Sequence, residues 1–183
     1  MITDDDPGGD WTAPGVYRSA PGVHRIPLPL PHDGLRAVNV YALPDGDGWT
    51  LIDSGWALAG SRDLLAAALG ELGAGLGDVR RFLVTHLHRD HYTQAVVLRR
   101  EFGARVALGR GERPALERVL SATTDPFEAH TSRLRRAGSA ALAARIEAHR
   151  PERGDRDEWA EPDVWLADGE EIAVGDGALT AVE

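Results

Sequence analysis

The run Phe82-Leu83-Val84 and the seven residues behind it, Thr85-His86-Leu87-His88-Arg89-Asp90-His91, constrain this chain more than any other part of it. The apolar triplet reads as a buried strand. The polar run then packs three imidazoles and a carboxylate into six residues, His86, His88, Asp90 and His91. Imidazole nitrogen and carboxylate oxygen are donors suited to zinc, iron or manganese. Alternation along an extended chain sets His86 and His88 on one side. Asp90 and His91 follow round the turn, where they face a second ion. The competing reading is a solvated histidine-rich turn in which Asp90 caps the next helix. That reading would be the better account of a lone His-x-His, but four donors between a strand and a helix favour a metal-binding loop.

The pattern on either side agrees with an α/β chain. Val23 to Leu28 and Leu35 to Leu43 read as strands around a turn at Pro31-His32-Asp33-Gly34, and Trp49 to Asp53 follows the turn Asp45-Gly46-Asp47-Gly48. From Ser61, the residues Leu64, Leu65, Ala68, Leu69 and Leu72 form the stripe of an amphipathic helix that ends in Gly73 to Gly77. Val79 to Val84 is the next strand, Thr93 to Phe102 a helix, and Ala104 to Leu108 a further strand. A strand-loop-helix-strand unit of this kind makes a right-handed crossover between parallel strands. The histidine loop then falls at a carboxyl strand end, where open α/β sheets place their ligands. Glu112 to Leu120 reads as a short helix and Phe127 to His149 as a longer one. Val164 to Leu166, Glu171 to Val174 and Ala178 to Val182 read as short strands.

Composition narrows the class. At 183 residues the chain is long enough for one domain with a real core, and its 43% hydrophobic content is ordinary for a globular protein. No apolar stretch approaches the roughly 20 residues of a membrane span. Residues 1–20 read as a flexible acidic tail without the basic start and apolar centre of a secretory signal, ahead of one domain over 21–183. The absence of cysteine excludes disulfides and thiolate ligands, and the expected compartment is the cytoplasm. Net charge is −9, against a general nucleic-acid coat. Residues 80 to 118 depart from that balance, with nine arginines against Asp90, Glu101, Glu112 and Glu117, a local +5. These arginines either solvate helix faces or draw an anionic substrate toward the loop.

The run His86-Leu87-His88-Arg89-Asp90-His91 resembles the signature of the metallo-β-lactamase superfamily. Leu51-Ile52-Asp53-Ser54-Gly55 resembles that family's earlier strand ending in Asp and Gly, and Asn39-Val40-Tyr41 its entry strand; the likeness covers about residues 23 to 110. The resemblance implies an αβ/βα sandwich, of which this chain supplies the first half, a helical insertion or lid over about 112–150, and the start of the second half. It implies His86 and His88 as ligands of a first metal, Asp90 and His91 of a second, and Asp53 as a buried residue steadying the loop. Asp90 would also orient the nucleophile. The implied activity is that of a metal-dependent hydrolase, using zinc (with iron or manganese as alternatives) and a metal-bound hydroxide on a small-molecule ester, thioester or lactone. Many family members carry glycine soon after the second-site His; this chain has Tyr92-Thr93-Gln94 instead.

The family completes its two sites with a third His, a bridging Asp and a last His, and no residue after His91 stands in a matching context. His130 and His149 read as helix-face residues, and His24 and His32 as surface residues near strand ends. The expectation is therefore a fragment of a longer enzyme, or a compact variant that completes its core as a homodimer. Three other functions stay open on these residues: a nuclease of the same fold acting on phosphodiesters, an iron-bearing oxidoreductase, and an inactive interaction module.

Overall fold

Alternation in one strand shows how the layers form. The strand β6 (Val79–Val84) sends Phe82 and Val84 to one side and Leu83 to the other, and each side is buried by different partners. In the computed structural model, which describes residues 2–6, 8–31, 34–121, 126–148 and 158–182, β6 lies inside an eight-stranded sheet. Its strands are β1 (Thr3–Asp4), β2 (Tyr17–Ala20), β3 (Val23–Pro29), β4 (Ala37–Asp45), β5 (Gly48–Ile52), β6, β7 (Arg105–Gly109) and β8 (Val164–Leu166), neighbours in chain order. β2 to β5 pair antiparallel through short turns, and β5 to β8 pair parallel. Parallel neighbours need crossover segments, and helices supply them.

The helix α1 (Ala59–Glu71) links β5 to β6, and α2 (Arg89–Phe102) links β6 to β7. Leu65, Ala68 and Leu69 of α1 and Tyr92, Ala95, Val96 and Leu98 of α2 join Ile26, Leu28, Val40, Leu51, Phe82, Val106 and Leu108 in the main core. The opposite sheet face carries Leu83, Ala107 and Leu166, which meet Val174 of a hairpin, β9 (Glu171–Val174) with β10 (Gly177–Thr180). Arg81 clamps this hairpin. It donates 2.8 Å to Asp45 and also to the Ala173 carbonyl, while the Gly175 N–H donates 3.1 Å to the same Asp45. A cavity of about 690 Å3 remains between this face and the hairpin, lined by Ile52, Leu83, Leu166, Ile172 and Leu179 and reaching Thr85.

Three expectations change. The helix expected from Thr93 starts at Arg89, because His88 is extended at its N-cap and Asp90 suits the positive end of the first turn. Asp90 and His91 are thus helical, not part of a turn before the helix. The long helix expected over Phe127 to His149 is two in the described residues, α4 (Pro126–Arg136) and α5 (Ala140–Ala148). They break at Gly138, whose φ of 81° belongs to the left-handed region that glycine occupies without strain. With α3 (Arg113–Ser121) they lie in the connection from β7 to β8. No described helix is long and apolar enough to cross a membrane.

The third change concerns the amino terminus. Its described residues, expected as a flexible tail over 1–20, instead supply β1 and β2 at the sheet edge. The cause is Arg25 on β3, only 6% exposed, whose charge must be paired. Asp5 accepts from its Nε at 2.8 Å and Nη2 at 2.6 Å; Trp11 O and Asn39 Oδ1 accept from Nη1. The Arg25 hydrogen bond, opposed by burial and helped by Ser19, holds the Asp5 carboxyl at about 2. That lies below a free carboxyl near ~3.9. The stabilisation is therefore present above about pH 4 and lost as pH falls toward 2. Urea midpoints of the wild type and Asp5→Asn should differ at about pH 5 and converge by about pH 2. A gap unchanged over that range would show that this pair does not anchor the terminus.

Candidate metal centre

Two parallel strands deliver the site from their carboxyl ends. β5 runs into Asp53-Ser54-Gly55 and β6 into Thr85–His91, and the Asp53 N–H extends the pairing with 3.0 Å to Leu83 O. Asp53 has φ 60°, the one non-glycine residue at positive φ among those described. Holding it there costs about 1 kcal/mol, which Asp tolerates better than most side chains. The twist turns its carboxylate, 5% exposed as a residue, onto the histidine loop.

Asp53 organises both halves of that loop. Its oxygens accept the Thr85 N–H at 2.8 Å, the Thr85 hydroxyl at 2.9 and 3.0 Å, and His91 Nδ1 at 2.8 Å. A carboxylate only accepts, so His91 carries a proton on Nδ1 and turns its Nε2 toward Asp90. The Thr85 hydroxyl, its hydrogen given to Asp53, accepts from His86 Nδ1 at 2.9 Å. His86 therefore presents a bare Nε2. One buried carboxylate thus sets the tautomers of two imidazoles, the second through a threonine. Burial, together with the neighbouring His91 and His88, pushes the His86 imidazole below its ordinary value, which favours the neutral ring. Burial also depresses His91, but Asp53 and Asp90 outweigh it and leave that group raised.

The outward atoms converge in two pairs. His86 Nε2 lies 2.9 Å from His88 Nδ1, and His91 Nε2 lies 3.5 Å from Asp90 Oδ2. The His86 and His91 ring centres are 4.1 Å apart, so the pairs adjoin. Among the described residues no three such donors gather at one point. His130 is exposed on α4 and joins no group of three such donors among the described residues. His24, expected at the surface, is half-buried edge-on to Trp49 at 6.0 Å, with Nδ1 buried and unpartnered. His32 and His149 lie outside the described residues.

The residues that replace the family's glycine lock the loop to the β5 turn. Thr93 Oγ1 accepts the Ala57 N–H at 3.0 Å, and Gln94 Nε2 donates 2.7 Å to Ser54 O. Ser54 reaches back, its hydroxyl donating 2.7 Å to His91 O. The Tyr92 hydroxyl donates 2.7 Å to Ala160 O, fixing the helix start to the segment before β8. Sequence reasoning missed these roles, although Thr93 and Gln94 stood out as a departure. Gly55 is required at the centre of this latch. Its φ is 89°, and an added Cβ would meet Leu28 Cδ1 at 2.5 Å and Ser61 Oγ at 3.0 Å.

Residues 33–183 match the model of the metallo-beta-lactamase superfamily. The chain belongs to that superfamily. A metallo-beta-lactamase family protein from Thermus thermophilus superimposes with a TM-score of 0.67 at 27% identity, over 89% of this chain and 52% of that one. The subclass B3 metallo-beta-lactamase BJP-1 of Bradyrhizobium japonicum gives 0.57 at 21%, over 94% and 53%. The class B3 di-zinc enzyme LRA-12 from an Alaskan soil metagenome gives 0.59 at 18%, over 98% and 56%. No curated protein matches the chain. This superfamily chain spans about half the length of the solved structures it resembles. The sheet, the two crossover helices on one face and the hairpin on the other are the expected first part of the αβ/βα sandwich.

Two outcomes follow from the latch and the carboxylate. Gly55→Ala should lower stability by at least about 2 kcal/mol, read from urea unfolding, because strain and overlap add. Long-range 15N–1H NMR should find His86 protonated on Nδ1 and His91 on Nδ1 in the metal-free wild type. In Asp53→Asn both preferences should weaken, since an amide donates as well as accepts. Unchanged tautomers in that variant would remove Asp53 from this role.

Proposed function

We propose that this chain belongs to a metal-dependent hydrolase that attacks an ester, thioester or lactone carbonyl at a zinc centre of two ions. The observation that carries this reading is the paired convergence of His86 Nε2 with His88 Nδ1 and of His91 Nε2 with Asp90 Oδ2. Two nitrogens on one tetrahedral zinc, each at about 2.0–2.1 Å, stand roughly 3.4 Å apart. Parting His86 and His88 by about half an ångström reaches that spacing, and Nε2 of His86 is already freed by its Nδ1 bond to Thr85. The donor set fits the group. In this reading His86 and His88 hold one ion, Asp90 and His91 the other.

Bound zinc lowers the pKa of coordinated water to near neutrality and polarises the carbonyl under attack. The protein's own groups do the rest. Asp90 orients the attacking water through its carboxylate, while the three histidines serve as ligands and not as bases. Asp53 and Thr85 hold the His91 and His86 rings in orientation, so that metal entry needs only the parting of His86 from His88. The wall of the substrate's path comes from α3, α4 and α5, with Leu116 of α3 rooted in the main core. A complete centre needs at least one further protein donor for each ion. Among the described residues no third donor joins either pair.

The test is zinc content of the purified chain by elemental analysis beside a His86→Ala/His88→Ala variant. Zinc held by the wild type and lost in the variant supports the reading; equal content in both defeats it. Thr85→Val should weaken zinc binding about ten- to hundred-fold while Thr85→Ser retains it, measured by competition with a chromophoric chelator.

A further inference from the structure

We infer that Arg89 is the anion-recognising group of this site, so that the substrate carries a carboxylate or phosphate close to the bond that is cleaved. The inference rests on the metal reading only for where that bond lies. Arg89 sits inside the loop, between His88 and Asp90, in the first turn of α2, and is exposed. Its guanidinium carbon lies 4.9 Å over the ring of Trp56, the residue directly after the Asp53-Ser54-Gly55 turn. Both residues are carried by the segments that the Thr93, Gln94 and Ser54 bonds lock together, so the pair is fixed relative to the histidines.

Charge pairing separates Arg89 from other arginines of the basic stretch. Arg80, Arg81, Arg99 and Arg113 each close on a carboxylate: Asp47, Asp45, Asp163 and Glu117. Among the described residues no carboxylate or hydrogen-bond acceptor engages the Arg89 guanidinium; the bond Arg89 makes to Thr93 is through its backbone carbonyl. The nearest candidate by sequence, Asp90, directs its Oδ2 to His91 at 3.5 Å. A guanidinium seated on an aromatic ring uses its face for that contact and keeps its N–H edge for a fork-shaped partner. Carboxylate and phosphate oxygens are that partner. Holding an exposed arginine against tryptophan also removes rotamer freedom before a ligand arrives, so less is lost on binding.

The probe is inorganic phosphate, with acetate as the carboxylate, titrated into the full chain and followed by the Arg Nε–H resonances in 15N NMR, with and without added zinc. Arg89→Gln should weaken phosphate binding by about tenfold or more. Arg89→Lys, which keeps charge but loses the fork, should fall between, and Trp56→Phe should weaken binding less than Arg89→Gln. Zinc content should be the same in wild type and Arg89→Gln. Phosphate and acetate binding equal in wild type and Arg89→Gln, or absent from both, overturns the inference. A chain that takes up no zinc but still binds phosphate through Arg89 sinks the hydrolase reading and leaves the anion site standing.

Discussion

Two of the loop's four donors, His91 directly and His86 through Thr85, are arranged by the carboxylate of Asp53. It sits where two parallel strands end side by side, and its unusual backbone angle is what turns it inward. From there it accepts a hydrogen bond from His91 and, through the Thr85 hydroxyl, settles which nitrogen of His86 is bare. A flexible histidine cluster would have to choose tautomers and rotamers each time a ligand arrived. Here that choice is made by folding, because the buried carboxylate would otherwise lose its partners. The latch of Ser54, Thr93 and Gln94 makes the same arrangement rigid from behind.

The rest of the molecule is unequal on its two sides. One sheet face is sealed by α1 and α2 against a continuous core, with Leu51, Leu65, Leu69, Phe82 and Leu108 fully buried. The other face has one hairpin, clamped by Arg81, and an apolar cavity that reaches Thr85. The loop shows the same division. On its supporting side both carboxylate oxygens of Asp53 are satisfied, while its outward side offers donors in twos. The comparison structures are about twice as long as this chain.

Much of this was legible in the sequence because it is local. Phe82-Leu83-Val84 gives a strand whatever surrounds it, and the Leu64 to Leu72 stripe gives a helix that must face a core. The histidine loop follows the same logic, since its spacing alone sets His86 beside His88 and Asp90 beside His91. What escaped was set by contacts distant in sequence. Asp5 and Arg25 are twenty residues apart, and nothing in an acidic Gly/Pro-bearing stretch announces that one of its carboxylates belongs to a buried arginine. Trp56 and Arg89 meet only because the β5 turn and α2 pack together. The break at Gly138 was visible as a residue, yet the surrounding Ala, Arg and Leu outweighed it in a pattern reading. His24 looked like a strand-end surface residue until Trp49 arrived from β5 to cover it.

The order of strands has a consequence for how the molecule forms. Each strand of the sheet lies beside its predecessor in the chain, from β1 through β8. A chain emerging from synthesis therefore meets, at every step, an edge that its own previous strand has just provided, and the antiparallel β2 to β5 ribbon closes over short turns. The parallel additions of β6, β7 and β8 come later and need helices to return the chain, which makes them slower. The last edge, on β7, must wait while α3, α4 and α5 are made before β8 covers it. During that interval the newly formed histidine loop stands next to an unpaired strand, the moment of greatest exposure in the life of this fold.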